Sequence, residues 1–184
     1  RRVIDVDASK MGLDRSKPTI LVRLEESYAS YLQSYNRSWT IKLLDELSSF
    51  SQCNIVALCR YEAQLKNTEE KYGSRFIIPS DVVDGAGLIS VSDVFIGMGG
   101  TMTAEAALLG VPTISAYPGG CIYTEKYLIS KGLLVKPNSI KGVAKMAKRF
   151  LKDQRKRGWL KNEAQRILGD MEDPDKKIIS VVEG

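Results

Sequence analysis

The run Phe95–Ser115, FIGMGGTMTAEAALLGVPTIS, sets two adjacent glycines, a threonine and one acid within a single turn-and-helix pattern. Gly97-Met98-Gly99-Gly100-Thr101 follows a short apolar run and leads into a helical one. Glycine lets the backbone turn sharply and lets a ligand come close to the amides. The first helical turn offers unpaired N–H groups at the positive end of a dipole. Gly99, Gly100 and Thr101 are therefore expected to hold an anion, phosphate being the usual guest. Thr101 either caps the helix or donates its hydroxyl to a phosphate oxygen. Glu105, four residues on, shares that face and lies ~5–6 Å farther along the axis. A diphosphate at the helix start would place its ribose about that far away, and a carboxylate accepts two hydroxyl hydrogen bonds. Glu105 thus reads as a ribose clamp; the alternative is a helix-forming Glu that only faces water. The pattern is not a dinucleotide fingerprint, because G-x-G-x-x-G fails at Met102, and no G-K-S/T marks a P-loop.

Other residues with chemistry lie just beyond apolar runs. Arg23 and Arg60 each follow a strand pattern, where a guanidinium can meet a phosphate through two hydrogen bonds. Tyr28 and Tyr31 sit close after Arg23 and can stack on a base, line a cleft or simply pack at a loop–helix junction. Asp84 precedes GAGLIS and reads as a helix cap, with Asp81 beside it. Glu125, after the second Gly-Gly at 119–120, can reach sugar hydroxyls, or Pro118-Gly119-Gly120 is a plain turn. The chain has no histidine, which excludes a Ser-His-Asp or Cys-His centre and any His-ligated metal within it. Cys53, Cys59 and Cys121 are scattered, without C-x-x-C, and read as buried thiols in a reducing cytosol. No metal or other cofactor is expected.

The elements that must position these residues alternate. Strand patterns occur at Pro18–Leu24, Cys53–Cys59, RFIIP, DVFIG, VPTISAY and LLV. Between them lie helical patterns, among them SWTIKLLDELSSF, with Ser38 as cap and Ile41, Leu44, Leu47 and Phe50 as its apolar stripe. YEAQLKNTEEKYG, TMTAEAALLG and IYTEKYLISKG are further helices, each closed by a glycine. Near-continuous Val/Ile/Leu strands are buried on both faces. The fold class expected is α/β, a Rossmann-like three-layer sandwich of about six parallel strands with helices on both faces. Ligands of such sheets sit beyond the carboxyl ends of the strands. Residues 1–17 read as the end of a linker and residues 18–184 as one domain.

The run VVDGAGLISVSDVFIGMGGTMTAEAALLGVPTIS, with KYLISKGLL and VRLEESYASY, resembles the C-terminal nucleotide-binding half of GT-B glycosyltransferases and of the non-hydrolysing UDP-N-acetylglucosamine 2-epimerases. It resembles more closely a largely archaeal family of unknown function allied to them, over nearly the whole chain. The resemblance implies diphosphate contacts at Gly99, Gly100 and Thr101, ribose at Glu105, and phosphate or sugar at Arg23. It implies a base-binding turn around Ser80, Asp81 and Val82, with Arg60, Tyr28 and Glu125 bordering the cleft. It also implies a missing N-terminal domain that supplies acceptor contacts and catalytic groups, so that this chain alone is inactive. Ala104 departs from the family pattern, which often carries Arg before this Glu.

Three functions stay open. The chain is the donor half of a glycosyltransferase using a nucleotide-diphosphate sugar, UDP-linked. Alternatively it belongs to a nucleotide-sugar 2-epimerase, or it is a non-catalytic binding or assembly module. The net charge of +5 is concentrated at residues 141–166, with ten Lys/Arg against Asp153 and Glu163. These basic helices either pack their apolar side (Val143, Met146, Phe150, Leu151) on the sheet or meet an anionic membrane surface. Nucleic acid is not expected as a partner. The expected setting is cytoplasmic, with peripheral membrane contact as its extension.

Overall fold

Alternation along the strands decides the layers. In the computed structural model, which describes residues 11–26, 38–81 and 83–182, β1 (Thr19–Arg23) turns Ile20 and Val22 to one face and Leu21 to the other. β2 (Asn54–Leu58) does the same with Ile55 and Ala57 against Val56 and Leu58. β3 (Val94–Gly97), β4 (Thr113–Ser115) and β5 (Leu134–Val135) complete a five-stranded parallel sheet in the order β2-β1-β3-β4-β5. The order reverses between β1 and β3, and there Arg23 registers with Gly97 on one side and with Leu58 on the other. The carboxyl ends of the three strands therefore form one edge, at the place where open α/β sheets leave a crevice.

RFIIP, expected as a sixth strand, forms one bridge, Val56 to Ile77. Ile77 N donates to Ile55 O and Ala57 N donates to Ile77 O. The next rung would need an N–H from residue 79, which is Pro79.

Helices cover both faces. α1 (Ser38–Ser48), Tyr72 of α2 (Glu62–Tyr72) and α6 (Ile140–Lys152) share one core with Ile20, Val22, Val94 and Ile96. α3 (Gly85–Ser90) and α4 (Thr101–Leu108) pack on the other face with Leu21 and Phe95. α5 (Tyr123–Ser130) and α7 (Gln154–Asp170) extend that second layer through Leu128, Leu160 and Ile167. Each fully buried Ile, Leu or Phe contributes about 1.5–3 kcal/mol. Ile41, expected in the stripe of α1, is 45% exposed, and Leu43 with Leu44 and Leu47 carries the packing instead. The side chain of Ser38 lies outside the described residues. Asp84 caps α3 as expected, accepting from the amides of Ala86 and Gly87. α8 (Pro174–Val182) leaves Ile178, Ile179, Val181 and Val182 exposed. Met11 and Leu13, within the segment read as a linker, pack against the second core, and Asp14 N donates to Asn54 Oδ1. Among the described residues, no helix is long and apolar enough to cross a membrane.

Candidate functional site

The bend after β3 is built from three glycines with different tasks. A Cβ on Gly97 would lie 2.1 Å from Thr103 Oγ1, so only glycine lets α4 fold back so tightly. Gly99 (φ 92°) and Gly100 (φ 88°) are left-handed, a conformation that disfavours side chains. Gly100 is the N-cap of α4 and supplies no side-chain cap. Thr101 is the first helical residue, so the cap position, one of the two roles considered for it, falls to Gly100, and Thr101 is exposed. Glu105 is exposed one turn later on the same face.

Two guanidiniums border this bend. Arg23, at the end of β1, donates through Nη1 to Cys59 O at 2.9 Å and Leu58 O at 3.4 Å. Its Nε is buried and has no hydrogen-bond partner among the described residues. Burial first, and then the like charge of Arg60, lowers the pKa of Arg23 from its usual range, yet the side chain stays charged. Arg60 pairs with Glu26, and its Nη2 lies 3.9 Å from where a Cβ on Gly100 would be. A cation with a dry, unsatisfied donor beside a second cation is an arrangement that an anion relieves.

Arg23, Arg60, Ser80 and Asp81 line one cleft of about 470 Å³, together with Leu65 and Met102. That volume falls within the ordinary range for small-molecule sites. Four expected site residues thus line one cleft; Gly100 stands beside Arg60 at its border, and Gly99, Thr101 and Glu105 are not among the lining residues. Tyr28, Tyr31 and Val82 lie outside the described residues.

Glu125 is placed differently from the expectation. It is 5% exposed, accepts from Ser115 Oγ at 2.6 Å and pairs with Lys136 Nζ at 3.2 Å. Its carboxylate is turned inward toward Ser115 at the end of β4 and Lys136 just after β5, so it does not reach for a ligand. Lys136 lies 4.8 Å from the centre of the Tyr117 ring, and that ring in turn lies 3.7 Å from the Cβ position of Gly99. The buried pair therefore braces the aromatic wall of the bend.

Glu26, Tyr117 and Met102 fall in the stretches just beyond the strands where a ligand is expected, but the sequence assigns none of them a role. Tyr117 had a usable signal, since it stands two residues after the β4 strand end. Met102 had only its place in the first turn of α4, and Glu26 had none beyond its closeness to Arg23. Cys53, Cys59 and Cys121 are unlinked, and burial raises the thiol pKa of the first two, which keeps them protonated.

The glycine bend and its flanking sequence have relatives. A family described as proteins of unknown function, DUF354, matches residues 6–181. The chain belongs to this family. An uncharacterized protein of Methanocaldococcus jannaschii is 35% identical over 134 residues, covering 73% of this chain and 38% of its own length. Among solved structures, the chain is similar to the M. jannaschii UDP-GlcNAc 2-epimerase in complex with UDP-GlcNAc and UDP (TM-score 0.62, 15% identity, 90% of this chain and 48% of that one). It is equally similar to LpCGTa in complex with UDP (TM-score 0.62, 14% identity, 98% and 45%). Spinosyn forosaminyltransferase SpnP follows at 0.60, with 15% identity over 86% of this chain and 42% of that one. This DUF354 chain has the Rossmann-like fold of the GT-B glycosyltransferases and epimerases, and it spans less than half the length of these relatives.

Proposed function

We propose that the chain binds a nucleotide-diphosphate sugar, UDP-linked, as the donor half of a GT-B-like glycosyltransferase. The observation that carries this is that Arg23, whose Nε has no partner among the described residues, and Arg60 line one cleft beside the start of α4. The diphosphate would lie on the amides of Gly99, Gly100 and Thr101, between the two cations. Glu105, one turn along, would take the ribose hydroxyls. The cleft past Ser80 and Asp81 would receive the base through the backbone of that turn. Transfer breaks the bond between the sugar and the diphosphate, and the negative charge that grows on the departing oxygen would be offset by Arg23, Arg60 and the helix start. The acceptor and the groups that move protons would come from elsewhere in the full protein.

The epimerase reading uses the same site, and the similar TM-scores of the two classes, 0.60 and 0.62, favour neither. Calorimetric titration of UDP, UDP-N-acetylglucosamine, GDP and ADP, into this chain and into Glu105→Ala, tests the proposal. Saturable binding of a uridine nucleotide that weakens ten-fold or more in the variant is expected, from ~1.5–3 kcal/mol for a hydrogen bond to a charged group. Folded protein that binds none of the four overturns it for this chain.

A further inference from the structure

α6 has two unlike sides. Val143, Ala144, Ala147 and Phe150 are buried against the sheet and α1. The opposite side carries Lys141, Lys145, Lys148, Arg149 and Lys152, all exposed, within an arc of about 100° at 3.6 residues per turn. No acidic residue occurs between 140 and 152. Among the described residues none of these five cations forms an ion pair; Lys148 rests on the Phe50 ring at 4.5 Å. The next acid, Asp153, is occupied in capping α7 through Lys156 N at 3.0 Å. Packing on the core therefore accounts for one side of α6 and leaves the charge of the other without a counterion.

A groove of about 420 Å³ opens beside the first turns of this side. Lys145 and Arg149 stand over it, and Val135, Pro137 and Met146 form apolar wall. Lys136 also borders it, but its ammonium is held by Glu125. A second, open depression continues along Arg149, Lys152, Asp153, Gln154 and Arg155, three cations against one acid. Cations above apolar wall match a phosphodiester joined to hydrocarbon. Single-stranded nucleic acid would need aromatic platforms on such a track, and the residues lining these two depressions include none.

We infer that the outer side of α6 is a docking surface for an anionic phospholipid bilayer, with a headgroup phosphate between Lys145 and Arg149. α6 follows β5, the edge strand of the sheet, after residues 136–139. The inference stands on charge and shape and is independent of the nucleotide proposal.

The test is co-sedimentation of the purified chain with vesicles of phosphatidylcholine, with and without phosphatidylglycerol. Binding is expected only with the anionic lipid, falling steeply as the screening length shortens from ~30 Å at 0.01 M salt to ~8 Å at 0.15 M. Each cation near an anionic leaflet is worth about five-fold in partitioning. K145Q/K148Q/R149Q/K152Q should lose about 100-fold or more, allowing for incomplete contact. K66Q/K126Q/K131Q/K161Q, with the same charge removed from other helices, should bind as wild type does. If the first variant fails to fold, K145E alone carries the test, with a loss of about five-fold or more expected. Equal binding of the two four-fold variants, or no binding to anionic vesicles at low salt, overturns the inference. So does tighter binding to DNA or RNA than to vesicles, or displacement by inorganic phosphate at constant ionic strength, which would mark a small-anion site.

Discussion

Gly97→Ala puts a methyl where the structure has no room for one. Its Cβ would lie 2.1 Å from Thr103 Oγ1, 2.9 Å from Cε1 of Phe95 and 3.2 Å from Thr103 Cβ. Gly97 is not left-handed, so the cost is purely steric. Overpacking of this kind costs about 1–3 kcal/mol. The main obstacle is one atom, Thr103 Oγ1, which is itself buried without a hydrogen-bond partner among the described residues. Thr103→Ala removes that oxygen and should be close to neutral: the gain of about 1–3 kcal/mol from deleting an unsatisfied hydroxyl offsets a lost methyl. The double variant should therefore recover about 1–2 kcal/mol relative to the sum of the singles. Urea denaturation of the four proteins, with unchanged m-values, measures the coupling. Strict additivity, within ~0.5 kcal/mol, would refute the idea that this contact sets the start of α4. Nucleotide affinity should follow the same cycle, since the shifted helix turn carries the proposed diphosphate site.

Three further outcomes are expected. Arg23→Met should weaken pyrophosphate binding by about 10–100-fold in a thermal-shift titration, because it removes a charge-assisted donor set, whereas an unchanged affinity would remove Arg23 from the site. Glu125→Ala leaves the nearly buried Lys136 uncompensated and should cost about 3–5 kcal/mol in urea denaturation, with most of it recovered in Glu125→Met/Lys136→Met; a loss below ~1 kcal/mol would show that the pair is well solvated. The hydrogen bonds from Ser16, and next the one from Lys17, lower the Asp14 pKa from 3.8 to about 2. The folded-state pKa is the lower one, so its contribution to stability is present above pH ~4 and is lost as the pH falls through about 2. Carboxyl-carbon NMR of Asp14 should show that low midpoint, and a midpoint near 4 would contradict it.

The parallel sheet was legible because β1, β2 and β3 are apolar on both faces, which leaves little room for another arrangement. The glycine bend was legible for a similar reason: few backbones other than a strand-to-helix turn need Gly-Gly followed by a helix. The sixth strand was misread because Pro79 acts through a missing ladder rung, and a rung exists only when the partner strand is known. Glu125 was misread because its burial depends on Ser115 and Lys136, which flank it at separations of 10 and 11 residues on β4 and just after β5. The place of Arg23 at the cleft was legible from its position at a strand end, but the nearness of a like charge on Arg60 was not. It arises from pairing of β1 with β2, a property of topology.

That topology has a consequence for folding and for opening. β1 with β2 and their helices come from the first half of the chain, and β3, β4 and β5 from the second. The two halves join along β1 and β3, where Asp93 N donates to Thr19 O at 2.8 Å and Met98 N to Arg23 O at 3.1 Å. An anion held jointly by Arg23 and the Gly99–Thr101 bend would act as a clasp across this seam. Any excursion that parts the halves would first have to release it. At a ligand concentration of 100 Kd, such openings would become rarer by about 2.7 kcal/mol. Amide exchange at Met98 would then slow with ligand, while the exposed helix α8 exchanges as before.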